Sequence, residues 1–419
     1  MNAISPGLAG SGAGIAFEEA RARVLALVER PLPAEEVPID SCTGRVAAAP
    51  VRARLSLPGF DQAAMDGYAV CTSGLRPDAW LPVAGRTTAG EAQGWLLPGS
   101  AHRILTGAPV PVGADSVIAQ EDVLQVGVMV RIGMAPDAGA HLRRRGEDIH
   151  AGDLLVREGT LLDWRHVTVL AAQGIEAVGV RRRPRVVVIS SGRELRRGGE
   201  TLRPGQIHDS NQPMLRSLLQ AWGAEVRARP VVADDAASMR DALCSASWAD
   251  LILTSAGISV GEEDHVRDAL LALGGSLAVL KVAMKPGKPL GAGRIGDAVF
   301  VGLPGNPQAA LAGAVTFVRP LLARMAGTEE PGTLAARAGF GMRRKTGRAE
   351  FVPVGLSLRG TDLWAERTGP DGSGRLAPLL HADGLGFLPA GQDAIEPGDP
   401  LEVLPFGAGA AWVGEAAGA

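Results

Sequence analysis

From Arg185 onward the chain alternates apolar runs of four to six residues with stretches of helical spacing. The runs 185–189, 224–232, 250–254, 277–283 and 298–303 read as strands, and 213–222, 236–247, 262–273 and 307–326 as helices. Strands that are apolar along their whole length, with helices between them, describe a parallel sheet covered on both faces. Ligands of such sheets bind at the C-terminal ends of the strands. Four polar loops fall there: Ser190–Glu194, Asp234–Asp235, the glycine loop after Thr254, and Gly302–Pro307.

Before Arg185 the pattern differs. Phe17, Ala20, Val24, Leu27 and Val28 recur at helical spacing and predict an amphipathic helix from Ile15 to Arg30, ended by Pro31. Its expected role is structural, against another domain or a second copy. Residues 33–53 carry turn signals and read as a connector. Short runs at 80–83, 95–97, 103–105, 116–119 and 126–132, separated by Gly and Pro, predict a small β domain. A strand at 153–156 and a helix at 161–174 follow. After Gly327 the helices stop, and 334–419 suits a small β-barrel. The Gly/Ala/Ser-rich start, residues 1–14, reads as a disordered leader without the basic region of a signal peptide.

The chemistry concentrates between Ala249 and Lys288. A strand opens through Gly257, Ser259 and Gly261 onto a helix start bearing Glu262, Glu263 and Asp264. Such a loop leaves backbone N–H groups unpaired, and these with the helix dipole attract anions such as phosphate. The carboxylates would repel a bare phosphate, so a divalent cation with hard oxygen ligands is expected between acid and phosphate. Lys281, Lys285 and Lys288 follow. Together they point to an anionic, phosphorylated ligand held with Mg²⁺. Each part alone has a plainer account as a tight turn or as acids complementing a helix dipole.

Other candidates carry two accounts. Asp66 either serves a ligand or closes an Asp-Gly turn. Thr106, in the turn 105–113, either binds an oxyanion or caps the turn. Arg143–Arg145 is either a solvated face or a clamp on a ligand or partner domain. Asn306 and Pro307 fit the N-cap and first position of a helix, with a second anion-facing helix terminus, including Gly305, beside them. Gly372–Arg375 is a polar loop that could reach a ligand.

The 419 residues exceed one compact core, so two to four domains are expected. A net charge of −3 gives no general attraction to nucleic acid or an anionic membrane. No run approaches the roughly 18 apolar residues of a membrane helix. The three cysteines are scattered, which argues for a reduced, cytoplasmic setting without a disulfide framework or zinc site.

Six segments in order, PGFDQAAMDGYAV (58–70), LTGAPVP (105–111), RRRGEDI (143–149), GISVGEED (257–264), KPGKP (285–289) and GLPGNP (302–307), resemble the MoeA family of molybdopterin molybdenumtransferases, which includes the gephyrin E domain. The resemblance implies a multidomain α/β plus β homodimer. Its parts would be a split linker and dimerisation domain (15–54 and 146–183), an inserted β domain (55–145), a three-layer α/β molybdopterin-binding domain with a parallel-rich sheet (184–328) and a C-terminal β-barrel (329–419). It implies insertion of molybdate into adenylylated molybdopterin with Mg²⁺-dependent release of AMP. Recipient apoenzymes and the pathway's adenylyltransferase are implied partners.

Carried over by position, Asp66, Thr106, Glu194, Asp234, Asp264, Lys281, Lys285 and Ser373 would serve the active site. Glu194, Asp234 and Asp264 would be metal ligands, Lys281 and Lys285 would hold molybdate, and Asp66 and Thr106 would act across the dimer. Pro353 stands where the family usually has an arginine, with Arg348 and Arg375 as candidates to supply that charge. Arg193 replaces an aspartate, and Ala256 a glycine of the cradle. The alternatives are a diverged paralogue that carries molybdopterin or finished cofactor without inserting metal, and the upstream adenylyltransferase. The extra N-terminal and barrel regions argue against the latter.

Overall fold

The computed structural model describes residues 14–229, 231–233, 235–256 and 265–407. The leader as far as residue 13 lies outside them, as do Asp234, Gly257, Ser259, Gly261 and Asp264. Two compact units share the chain. One holds residues up to Ala48, Gly159–Leu162 and Val178 onward; the other holds Ala49–Glu158 and Asp163–Ala177.

The larger unit is built on a six-stranded sheet in the order Glu225–Ala228, Arg185–Ser190, Leu251–Ser255, Ala298–Leu303, Pro289–Ile295, Ser276–Lys281. The first four strands run parallel, with Val186 beside Leu251 and Leu251 beside Val299. Pro289–Ile295 runs antiparallel to both of its neighbours, so the sheet is mixed rather than parallel throughout. An apolar run reports burial on both faces and leaves strand direction open; the short turn between Ile295 and Ala298 allows only a hairpin here.

Alternate residues of each central strand enter different cores. Val186, Val188, Leu251, Leu253, Val299 and Val301 pack on one face, whereas Val187, Ile189, Ile252 and Phe300 pack on the other with Met239, Leu243 and Leu270. Each such side chain contributes about 1.5–3 kcal/mol when fully buried. The first core also receives Pro307–Ala326, a helix of 20 residues with mean hydropathy 1.3. By length and apolarity it would suffice to cross a membrane, contrary to the reading of the sequence. Yet 83% of its most apolar stretch is buried inside the protein, which accounts for that apolarity.

The N-terminal helix spans Phe17–Leu25, shorter than expected. Beyond it the carbonyls of Leu27 and Val28 accept from Arg294 Nη2 (2.7 Å) and Arg324 Nε (2.8 Å), so tertiary hydrogen bonds replace helical ones. Phe17 lies 5.6, 5.1 and 6.1 Å from the rings of Phe317, Phe351 and Phe387, joining helix, sheet and barrel in one core. The expected connector contains a strand, Ala34–Pro38, paired with Ala177–Arg181.

The barrel closes through five strands, Ala349–Arg359, Asp362–Arg367, Leu334–Ala338, Pro400–Pro405 and Gly384–Leu388, the last pairing back to the first. A two-residue strand, Met284–Lys285, adds in parallel to its edge, placing Met284 beside Ala349 and Lys285 beside Glu350.

The smaller unit carries a second six-stranded sheet, in the order Ser116–Ala119, Gly67–Val70, Ala101–Ile104, Ala79–Thr87, Met129–Ile132, Val123–Val126. Gly67 is required at its centre: a Cβ there would lie 1.9 Å from the Ile118 carbonyl oxygen. The expected helix at 161–174 spans Trp164–Ala172, capped by Asp163, whose side chain accepts from the N–H of Arg165 at 3.0 Å.

Candidate active site

Where the mixed sheet meets the barrel, within the larger unit, a cavity of about 690 Å³ opens. Four loops build it: Lys285–Pro289, Pro304–Gln308 ahead of the long helix, Glu350–Pro353 on the barrel, and the turn Gly369–Ser373. Lys285, Lys288, Gly305, Asn306 and Ser373 therefore meet around one space. Lys281 and Glu194 are exposed and lie outside these walls.

Three lining residues passed unnoticed in the sequence. Glu350 is almost buried and accepts from Lys285 Nζ at 2.6 Å through Oε1 and from Arg344 Nε at 3.0 Å through Oε2. Asp371 lies 3.5 Å from the same ammonium, and its other oxygen pairs with Arg367 Nη2. The Glu350 carboxylate beside Lys285 holds that ammonium's pKa above the ordinary lysine value, so Lys285 keeps its positive charge at neutral pH. The positive charge beside Pro353 comes from Arg367, and neither Arg348 nor Arg375 lines the cavity. Arg375 instead donates through Nε to the Asp371 carbonyl (3.1 Å). The register of Val354 with Arg367 across neighbouring barrel strands brings that residue in, and no local motif announces it.

Asn306 and Pro307 occupy the N-cap and the start of the helix as expected, although the Asn306 side chain makes no capping hydrogen bond. The N–H of Gln308 donates to Ser373 O (3.0 Å) and its Nε2 to Arg375 O (2.8 Å), tying the Ser373 turn to the helix start. With Pro307 lacking an N–H, little of this terminus is left for an anion.

The sheet edge next to the cavity is polar inside. Asn211 Nδ2 donates to Ser255 Oγ (2.8 Å) and Gly305 O (2.7 Å). The buried oxygens Ser190 Oγ, Asp209 Oδ2, Asn211 Oδ1 and Thr254 Oγ1 have no hydrogen-bond partner among the described residues. Such atoms are costly unless something satisfies them. They cluster at the C-terminal strand ends, where the glycine loop begins. Ala256, the first residue of that loop, has φ +78°, a left-handed conformation that favours glycine.

Among the described residues no group of three His, Cys, Asp or Glu side chains could hold a metal. Glu194 alone of the expected ligands is described, and Asp235 is spent capping the helix Ala236–Cys244 through Ser238.

In the smaller unit Asp66 and Thr106 do meet. Asp66 Oδ1 accepts from the N–H (2.8 Å) and Oγ1 (2.7 Å) of Thr106, and these bonds lower the pKa of its carboxyl. Both residues also satisfy the turn reading. The basic run is a clamp within its own unit, Arg144 Nη1 reaching Asp61 Oδ2 at 2.7 Å.

The chain matches the MoeA N-terminal region (domain I and II) over residues 15–174, the probable molybdopterin binding domain over 187–324 and the MoeA C-terminal region (domain IV) over 335–406. It is 38% identical over 395 residues to molybdopterin molybdenumtransferase 2 of Mycobacterium tuberculosis, covering 91% of this chain and 97% of that protein. It is 36% identical over 343 residues to molybdopterin molybdenumtransferase of Haemophilus influenzae, covering 80% and 85%. The molybdopterin biosynthesis MoeA protein of Pyrococcus horikoshii superimposes with a TM-score of 0.82 at 33% identity, over 94% of this chain and 100% of that one. Three successive regional matches and relatives aligned over nearly their whole length lead to one conclusion: the chain belongs to the MoeA family of molybdopterin molybdenumtransferases.

Proposed function

We propose that this enzyme of molybdenum cofactor biosynthesis inserts molybdenum from molybdate into adenylylated molybdopterin and releases AMP in a Mg²⁺-dependent step. The supporting observation is the cavity that gathers Lys285, Lys288, Asn306 and Ser373 between sheet and barrel. Its two ammonium groups suit an oxyanion and the phosphates of a nucleotide-linked substrate. Glu350 positions the Lys285 ammonium, and the Ser373 hydroxyl stands ready to donate to a bound oxygen. Mg²⁺, if held by Glu194, Asp234 and Asp264, would neutralise charge developing on the opening pyrophosphate. A cytoplasmic homodimer belongs to the same proposal, with Asp66 and Thr106 contributed to the site by a second chain.

The uncharged Pro353 in the cavity wall favours a second reading, a carrier that binds the pterin without loading metal. One experiment separates the two. Purified protein is incubated with adenylylated molybdopterin, Mg²⁺ and molybdate, and AMP release and pterin-bound molybdenum are followed together. Coupled appearance of both supports the transferase. Tight pterin binding with neither supports the carrier.

A further inference from the structure

Along the barrel side of the cavity opposite charges alternate: Arg344, Glu350, Lys285, Asp371, Arg367. The two ends differ in how firmly they are held. Arg344 and Glu350 have side chains 4% and 7% exposed, and Arg344 also donates to the carbonyls of Pro389 and Arg348. That guanidinium is spent and closed off. Asp371 has a side chain 55% exposed and projects from the turn Gly369–Ser373. Exposed ion pairs contribute little, so Asp371 is weakly retained between Lys285 and Arg367. Arg367 Nε is buried and has no hydrogen-bond partner among the described residues, which leaves this guanidinium a donor unspent.

A carboxylate that bridges an ammonium and a guanidinium, one oxygen to each, presents the same pattern as two oxygens of a tetrahedral oxyanion. A dianion offers twice the charge, and it would replace a weak exposed contact by charge-assisted bonds. We propose that Lys285 and Arg367 are the cation pair that holds the oxyanion substrate, and that Asp371 is an internal stand-in, occupying their donors in the unliganded chain and displaced when the oxyanion binds. Arg367 is thereby a substrate-binding residue and Asp371 sets the apparent affinity. No bond is made or broken; the exchange swaps one anion for another. The inference deepens the reading above and rests on it for the identity of the oxyanion.

The test is equilibrium binding of molybdate, tungstate and sulfate to the full-length protein at constant ionic strength, without pterin. Asp371→Asn, an isosteric change on an exposed turn, should tighten molybdate roughly tenfold by removing the competitor. Arg367→Gln should weaken it about ten- to a hundredfold, the loss expected for a charge-assisted bond. A purely structural role for either residue would lower the melting temperature and could not tighten binding. Unchanged or weaker binding by Asp371→Asn overturns the stand-in, and wild-type affinity in a folded Arg367→Gln overturns the cation pair. Absence of oxyanion binding in both wild type and Asp371→Asn overturns the whole proposal. AMP release is measured in parallel: oxyanion binding that follows the expected order without AMP release defeats the transferase reading and leaves the pair standing.

Discussion

Lys285 and Glu350 are register partners across parallel strands, and the Lys285 ammonium lies 2.6 Å from a Glu350 oxygen. The pairing is a consequence of backbone alignment, so the side chains are committed before any ligand arrives. The buried partner of Glu350 is Arg344, and removing one partner of such a buried ion pair costs about 3–5 kcal/mol. Glu350→Gln keeps an acceptor but strands Arg344, and a loss of about 3 kcal/mol is expected in urea unfolding at neutral pH.

The same pair has an alkaline signature. The folded pKa of Lys285 is raised, so the stability it contributes is complete below the unfolded lysine value of about 10.4 and is lost as pH rises through the folded value. Urea midpoints of wild type and Lys285→Met should differ by a constant amount from pH 7 to 10 and converge above it. A gap that widens at high pH would contradict the assignment.

Asp250 should act at the opposite end of the scale. Burial pushes its carboxyl up, but two 2.8 Å bonds from Arg182 and one of 2.7 Å from the Arg185 N–H outweigh this and hold its pKa below the ordinary value. Its contribution is present above the unfolded carboxylate value of about 3.9 and is lost as pH falls through the folded one. Asp250→Asn should cost about 3 kcal/mol at pH 7, with the difference shrinking below pH 4.

Ala256 offers a stabilising change. A left-handed alanine costs about 1–2 kcal/mol, against about 0.4–1 kcal/mol of unfolded-chain entropy for glycine. Ala256→Gly should therefore raise stability by about 1 kcal/mol in thermal or urea melts, and a lower melting temperature would show that the loop does not carry this strain.

Sharing of the site between chains can be read from complementation. Asp66→Asn and Asp264→Asn should each reduce AMP release at least tenfold if both act in the reaction. Co-refolded mixtures should recover roughly a quarter of wild-type activity, since half the dimers would then own one intact site. Recovery no greater than the sum of the parents would mean that each site is built within one chain.

The sequence disclosed what depends on local pattern. The strands at Arg185, Leu251 and Ala298 showed in their apolar runs, and Lys285, Lys288, Asn306 and Ser373 stood in loops at sheet ends or turns. It did not disclose what depends on register. Glu350 looked like any strand carboxylate, and Arg367 lies 82 positions after Lys285, so their nearness follows from strand register, Lys285 beside Glu350 and Val354 beside Arg367. Helix ends erred for a related reason: the arginines that donate to the carbonyls of Leu27 and Val28 come from elements far along the chain.

The two residues Met284 and Lys285 belong to the barrel, although the strands on either side of them in sequence, Ser276–Lys281 and Pro289–Ile295, belong to the mixed sheet. The chain is stitched there rather than hinged. A barrel grafted from a relative at the evident seam near Gly327 would bring its own partner for Lys285, and the ammonium would move with it. Recombination at that seam would thus exchange part of the binding pocket together with the scaffold, and chimeras of this family should inherit ligand preference from both parents at once.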